Sequence, residues 1–127
     1  MKDINKKVQN VINLSASERY SYFIRKVADF EQVWGLYSDG WATLANDEEK
    51  MLAFWPEIEF AELCATDAWK DYQPKKISLE DFIEKWLNGM TRDGIKAAIF
   101  YTPAEKGVVI PAQELRGALD KELEQYE

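Results

Sequence analysis

Apolar side chains recur at intervals of three and four near the start of the chain, the spacing that puts them on one face of a helix. Ile4, Val8, Val11 and Ile12 predict a short helix from Asp3 to Asn13. Ser15, Ala16, Ser17 and Glu18 read as a capping box: the Ser15 hydroxyl accepts from the Glu18 amide, and the Glu18 carboxylate reaches back. The helix it opens carries Tyr20, Phe23, Ile24, Val27 and Phe30 as its inward stripe, with Arg25, Lys26 and Asp29 off it. The period then changes. Val33 to Tyr37 and Trp41 to Ala45 are rich in aromatic and branched residues, and Asp39-Gly40 between them predicts a two-residue type I′ hairpin. In that register Trp34, Leu36, Trp41 and Thr43 share one face and Gly35, Tyr37, Ala42 and Leu44 the other. Both faces are apolar, which predicts a sheet covered at least in part on both sides.

Asn46 to Lys50 predict a charged turn, and Met51 to Trp55 a third strand stopped by Pro56. A helix is predicted from Glu57 to Ala68, with Glu57, Glu59 and Glu62 early, where negative charge suits the N-terminus. Ala68 to Pro74 reads as a loop. Ser78 caps a further helix, with Asp81 in the box position and Phe82, Ile83, Trp86 and Leu87 inward, and Asn88-Gly89 predicts its left-handed stop. Ile95 to Tyr101 and Val108 to Ile110 predict two more strands around a turn at Glu105-Lys106-Gly107. Pro111 opens a last helix with Leu115, Ala118, Leu119, Leu123 and Tyr126 on one side. The order α-α-β-β-β-α-α-β-β-α predicts an α+β fold: a largely antiparallel sheet of about five strands with helices packed on it, over one domain spanning residues 1–127.

Composition narrows the chemistry. The chain has 127 residues, 46% of them hydrophobic, enough for a core without staples. It has one cysteine, Cys64, so no disulfide can close within the chain, and no apolar run is long enough for a leader or a membrane span. A cytoplasmic location with no membrane contact is the expectation. The formal net charge of −7 repels phosphate backbones, and the best local basic groups, Arg92 with Lys96 and the pair Lys75-Lys76, are small, so no nucleic-acid partner is expected.

Histidine is absent. That removes Ser-His-Asp and Cys-His pairs, histidine zinc sites and the usual neutral-pH proton shuttle. The six glycines are isolated, so no phosphate-cradling loop is present. Cys64 falls within an apolar helix and reads as a small buried hydrophobe. Asp47-Glu48-Glu49 reads as a solvated turn, Asp120, Glu122 and Glu124 as an exposed helix face, and Ser15, Ser17 and Ser78 as cap or first-turn residues. No catalytic residue, metal ligand or cofactor is expected. Among the tryptophans, Trp34 and Trp86 lie within apolar patterns and read as core. Trp41, Trp55 and Trp69, with Tyr72, are the binding candidates, because they lie beside a turn, before a proline and in a loop.

Several segments together resemble a family of short bacterial proteins described as domain of unknown function 2750. They are Arg19-Tyr20-x-Tyr22-Phe23-Ile24-x-Lys26-Val27-Ala28-Asp29, Val33-Trp34-x-Leu36, Asp39-Gly40-Trp41, Phe54-Trp55-Pro56-x-x-x-Phe60-Ala61, Trp69 and Ile77-x-Leu79-x-x-Phe82-x-x-x-Trp86-Leu87. The order of elements and the Gly107-Val108-Val109-Ile110-Pro111-x-x-Glu114-Leu115 ending are similar, at the level of fold, to the N-terminal domain of the SseB family. Neither resemblance implies an activity, a cofactor or a catalytic residue; the first implies a bacterial cytosolic setting.

The leading expectation is therefore a non-catalytic binding or regulatory module whose partner is another protein, an immunity-type inhibitor of a toxin being one form. A small-molecule sensor with a pocket near Trp55 is the alternative, followed by a carboxylate enzyme using a divalent ion. An edge strand such as Val108–Ile110 also offers a homodimer contact.

Overall fold

The structure is a computed structural model that describes residues 6–45 and 49–126. Asp3 and Ile4 at the start of the predicted first helix, Asn46, Asp47 and Glu48 of the predicted turn, and the Tyr126 side chain lie outside what it describes. The fold is α+β and mostly antiparallel, as the pattern predicts.

Helix α1 (Lys6–Ile12) buries Val8 and Val11, and α2 (Ala16–Phe30) follows from the expected capping box. The Ser15 Oγ accepts from the Glu18 amide at 3.2 Å, and Glu18 Oε1 accepts from the Ser15 amide at 3.1 Å. The buried face of α2 is turned from the expected one. It holds Arg19, Tyr22, Phe23, Ile24, Val27 and Ala28, while Phe30 is 48% exposed with the Lys26 ammonium 5.5 Å over its ring. Glu31, in the left-handed region, ends α2.

Strands β1 (Gln32–Tyr37), β2 (Thr43–Ala45) and β3 (Lys50–Phe54) follow. The Asp39-Gly40 segment is not the expected type I′ hairpin. Asp39 has φ 54°, but Gly40 is outside the left-handed region, and a type I′ turn needs both central residues there. Instead β1 and β2 share one edge of β3. Trp34 bridges Trp55, Ala42 accepts from the Ala53 amide, and Thr43, Leu44 and Ala45 face Leu52, Met51 and Lys50. Residues 37–41 are looped out of that line, closed by a Tyr37–Trp41 bridge and an Ala42 amide bond to the Leu36 carbonyl at 2.8 Å.

The other edge of β1 pairs with β4 (Gln73–Ser78), a strand the pattern does not announce. Its Pro74, Lys75 and Lys76 carry no alternation, yet proline and lysine are the residues that protect an outermost strand from further pairing. Helix α3 (Ile58–Cys64) stops short of Ala68, and a 3₁₀ turn over Asp67–Trp69 leads to β4. After β4 a single rod begins as α4 (Leu79–Asp81), makes a π turn over Phe82–Trp86, and ends as α5 (Leu87–Asp93). Asn88-Gly89 does not stop it: Leu87 and Met90 continue its buried side, and the left-handed residue is Gly94, at φ 70°. Strand β5 (Lys96–Ile99) pairs in parallel with β3 and antiparallel with β6 (Val108–Pro111), and α6 (Ala112–Leu123) packs on α2 and α5.

Both faces of the sheet are covered. Adjacent residues on a strand point to opposite sides. Phe54 meets Phe82 at 4.8 Å and Trp86 at 5.9 Å between ring centres, which places the α4–α5 rod on its side; Trp55 meets Trp69 at 6.0 Å on the other.

Candidate functional site

The four aromatic candidates divide between those two sides. Trp55 is fully buried, its indole Nε1–H donates to the Tyr101 carbonyl at 2.9 Å, and Trp69 packs edge-on against it. Tyr72 lies in the same turn, its amide bonded to the Trp69 carbonyl at 3.0 Å, and both Trp69 and Tyr72 are half-buried. Trp34, the cross-strand partner of Trp55, is half-buried as well, and its Nε1–H is buried without a hydrogen-bond partner.

Trp41 is on the opposite side and forms a different cluster. The looped-out segment carries it back over β1, where a Cβ on Gly35 would come within 2.9 Å of its ring carbons. Gly35 is thus the cradle of the indole, and any side chain there would displace it. Trp86 meets Trp41 edge-on at 4.7 Å, placed by the π turn, and Tyr37 meets it at 5.1 Å. Lys75, opposite Gly35 on β4, sets its ammonium 4.3 Å over the Tyr37 ring and 5.5 Å over that of Trp41. Tyr37, Trp41 and Trp86 are half-buried and Lys75 is exposed, so this cluster is a surface of three rings with a cation on top. Trp86, which the pattern assigns to the core, is one of its walls.

The charged groups of the interior, Arg19 and Glu57, are already engaged. Arg19 is fully buried and donates to three backbone carbonyls: Nε to Phe100 at 3.1 Å, Nη1 to Leu14 at 2.6 Å and Nη2 to Lys106 at 2.8 Å. It clamps the α1–α2 junction onto the β5–β6 loop. There Phe100 is left-handed at φ 59°, and a Cβ on Gly107 would lie 1.9 Å from the Ile99 carbonyl oxygen. Glu57 is buried, and its carboxylate accepts from the Tyr22 hydroxyl and the Lys7 ammonium. Burial and that carboxylate hold the Tyr22 phenol protonated well above the usual tyrosine range. Burial pushes the Cys64 thiol up to about 11, and it donates to the Tyr101 carbonyl at 3.2 Å, so at neutral pH it is a protonated packing group rather than a nucleophile. Periodicity did not reveal Arg19 or Glu57, because a charge in an apolar stripe leaves no signal until its partners arrive from distant segments.

Two shallow grooves open elsewhere. One, of about 490 Å³, lies between α2 and α6 against Tyr20, Ile24 and Ala118; the other, of about 150 Å³, lies beside Gly94 and Ala112. Among the described residues no three acidic or cysteine side chains converge to hold a metal ion, and no helix is long and apolar enough to cross a membrane.

No curated protein and no solved structure matches the chain, so the likeness to the SseB N-terminal domain carries no further argument. A family model does match, over residues 20–119, which takes in β1 to β6, the looped-out segment, the rod and both aromatic clusters. The chain belongs to the DUF2750 family, described as proteins of unknown function.

Proposed function

We propose that the protein is a non-catalytic binding module of the cytoplasm that engages another protein through the Tyr37–Trp41–Trp86 surface. The observation that supports this reading is that three separate features of the backbone serve one half-buried indole. A five-residue segment is looped out of a strand line, a glycine is cleared beneath Trp41, and a π turn sets Trp86 against it. Departures from regular structure of this kind cost stability and concentrate where proteins contact ligands. Half-exposed tryptophan and tyrosine are the residues that dominate protein interfaces.

The test is capture from a cell lysate by the immobilised wild type, Trp41→Ala and Trp69→Ala proteins, with melting temperatures confirming that each variant is folded. A partner retained by the wild type and Trp69→Ala but lost with Trp41→Ala is the expected result. Retention of every partner by Trp41→Ala overturns the reading.

A second reading, small-molecule sensing near Trp55, is favoured by one observation: the buried Trp34 Nε1–H lacks an acceptor that a ligand would supply. Tryptophan fluorescence unchanged across a metabolite panel would remove it.

A further inference from the structure

We infer that the partner of this surface is an acidic protein segment, seated with a carboxylate on Lys75 and an apolar side chain against Trp41 and Trp86; the inference rests on the reading of that surface as the docking face. Charge carries the argument. Lys7, Lys85, Lys96, Arg19, Arg92 and Arg116 each have a carboxylate within 4.0 Å. Among the described residues Lys75 and Lys76 have none, and neither do Lys6, Arg25, Lys26, Lys50, Lys70, Lys106 and Lys121; of these cations it is Lys75 that stands over the Tyr37 and Trp41 rings, in a chain that as a whole carries −7. An overall negative field repels an acidic partner nearly everywhere, and least beside unpaired ammonium groups. Lys75 is also held in place, because the two rings beneath it fix the ammonium while its outer side faces solvent. A carboxylate arriving there completes an anion–cation–ring stack, and the ordering of the lysine is already in place.

The same residues specify how the segment docks. Pro74 has no amide hydrogen to offer, and two adjacent lysines discourage strand addition along β4. The partner therefore lies across the aromatic face and does not extend the sheet.

The experiment uses the full chain and three short peptides, each with a central leucine flanked by glutamates, glutamines or lysines. The indole N–H signals, assigned by Trp→Phe variants, report where each peptide binds. The glutamate peptide is expected to shift the Trp41 and Trp86 signals and leave those of Trp55 and Trp69 still. Its affinity should fall with salt and drop at least about tenfold in Lys75→Glu and less in Lys75→Gln. Equal shifts with the lysine peptide, no shift with the glutamate peptide, or unchanged affinity in Lys75→Glu overturns the inference. Lysate capture separates the two claims: a partner lost with Trp41→Ala but kept by Lys75→Glu leaves the docking face standing and removes the acidic partner.

Discussion

Replacing Arg19 by methionine tests the account of the fold at its most interdependent point. Methionine fills much of the same space but leaves the carbonyls of Leu14, Phe100 and Lys106 without their donor. The Phe100 acceptor is buried and those of Leu14 and Lys106 partly so; at about 1–2 kcal/mol for each acceptor stripped of its donor, the loss should reach about 3–6 kcal/mol. The contact with Glu105 adds little, since that carboxylate is largely in water at 3.7 Å from Nη1. Against a typical domain stability of about 5–15 kcal/mol, the variant should be marginal, with a melting temperature lower by about 10–25 °C. Arg19→Lys keeps the charge, but one ammonium cannot span three carbonyls on separate segments, so it should recover less than half the loss. Urea unfolding followed by tryptophan fluorescence measures both variants. A loss below about 1 kcal/mol for Arg19→Met, or an Arg19→Lys protein as stable as the wild type, would refute the clamp.

Two glycines offer a contrast of sign, and the alkaline limb offers a test of the buried hydroxyls. Gly107→Ala should destabilise the protein by about 4 kcal/mol or more, because its Cβ would overlap the Ile99 carbonyl; Gly117→Ala, exposed within α6 with nothing within 4 Å, should stabilise it by about 0.5–1 kcal/mol. Thermal melts of the two proteins decide the comparison. The Tyr20, Tyr22 and Tyr101 phenols and the Cys64 thiol are all raised in the folded state, so the unfolded chain loses those protons first. Their stabilisation is whole below the ordinary values of 9.0 for the thiol and 10.0 for the phenols, and should fall as pH rises past them. Tyr22→Phe should cost about 1 kcal/mol at neutral pH by removing a donor from Glu57, and should flatten the alkaline decline. A decline as steep as that of the wild type would contradict the assignment.

Periodicity and local chemistry determined the elements whose stability is local. The capping box at Ser15 and Glu18 is legible because its partners lie three residues apart, and the inward stripe of the last helix and the strands β3 and β5 are legible from the spacing of their own apolar residues, although what they pair with or pack on lies far along the chain. Absences by residue type are equally legible: without histidine, several catalytic designs are closed whatever the fold. Pairing over long distances was not. Strand β4 exists because β1 offers it an edge; the pattern of Gln73 to Ser78 could not say so. Asp39-Gly40 has hairpin residues, yet β3 takes both β1 and β2 along one edge, and the backbone bonds gained there outweigh the local turn preference. Arg19 and Glu57 are polar residues that tertiary structure buries, because only folding gathers three carbonyls, a phenol and an ammonium around them. The same holds for the candidate site. The sequence singled out Trp41, Trp55, Trp69 and Tyr72 by their flanking residues, but only the alternation of Phe54 and Trp55 across β3 put Trp41 with Tyr37, Trp86 and Lys75 on one side and the others on the opposite one.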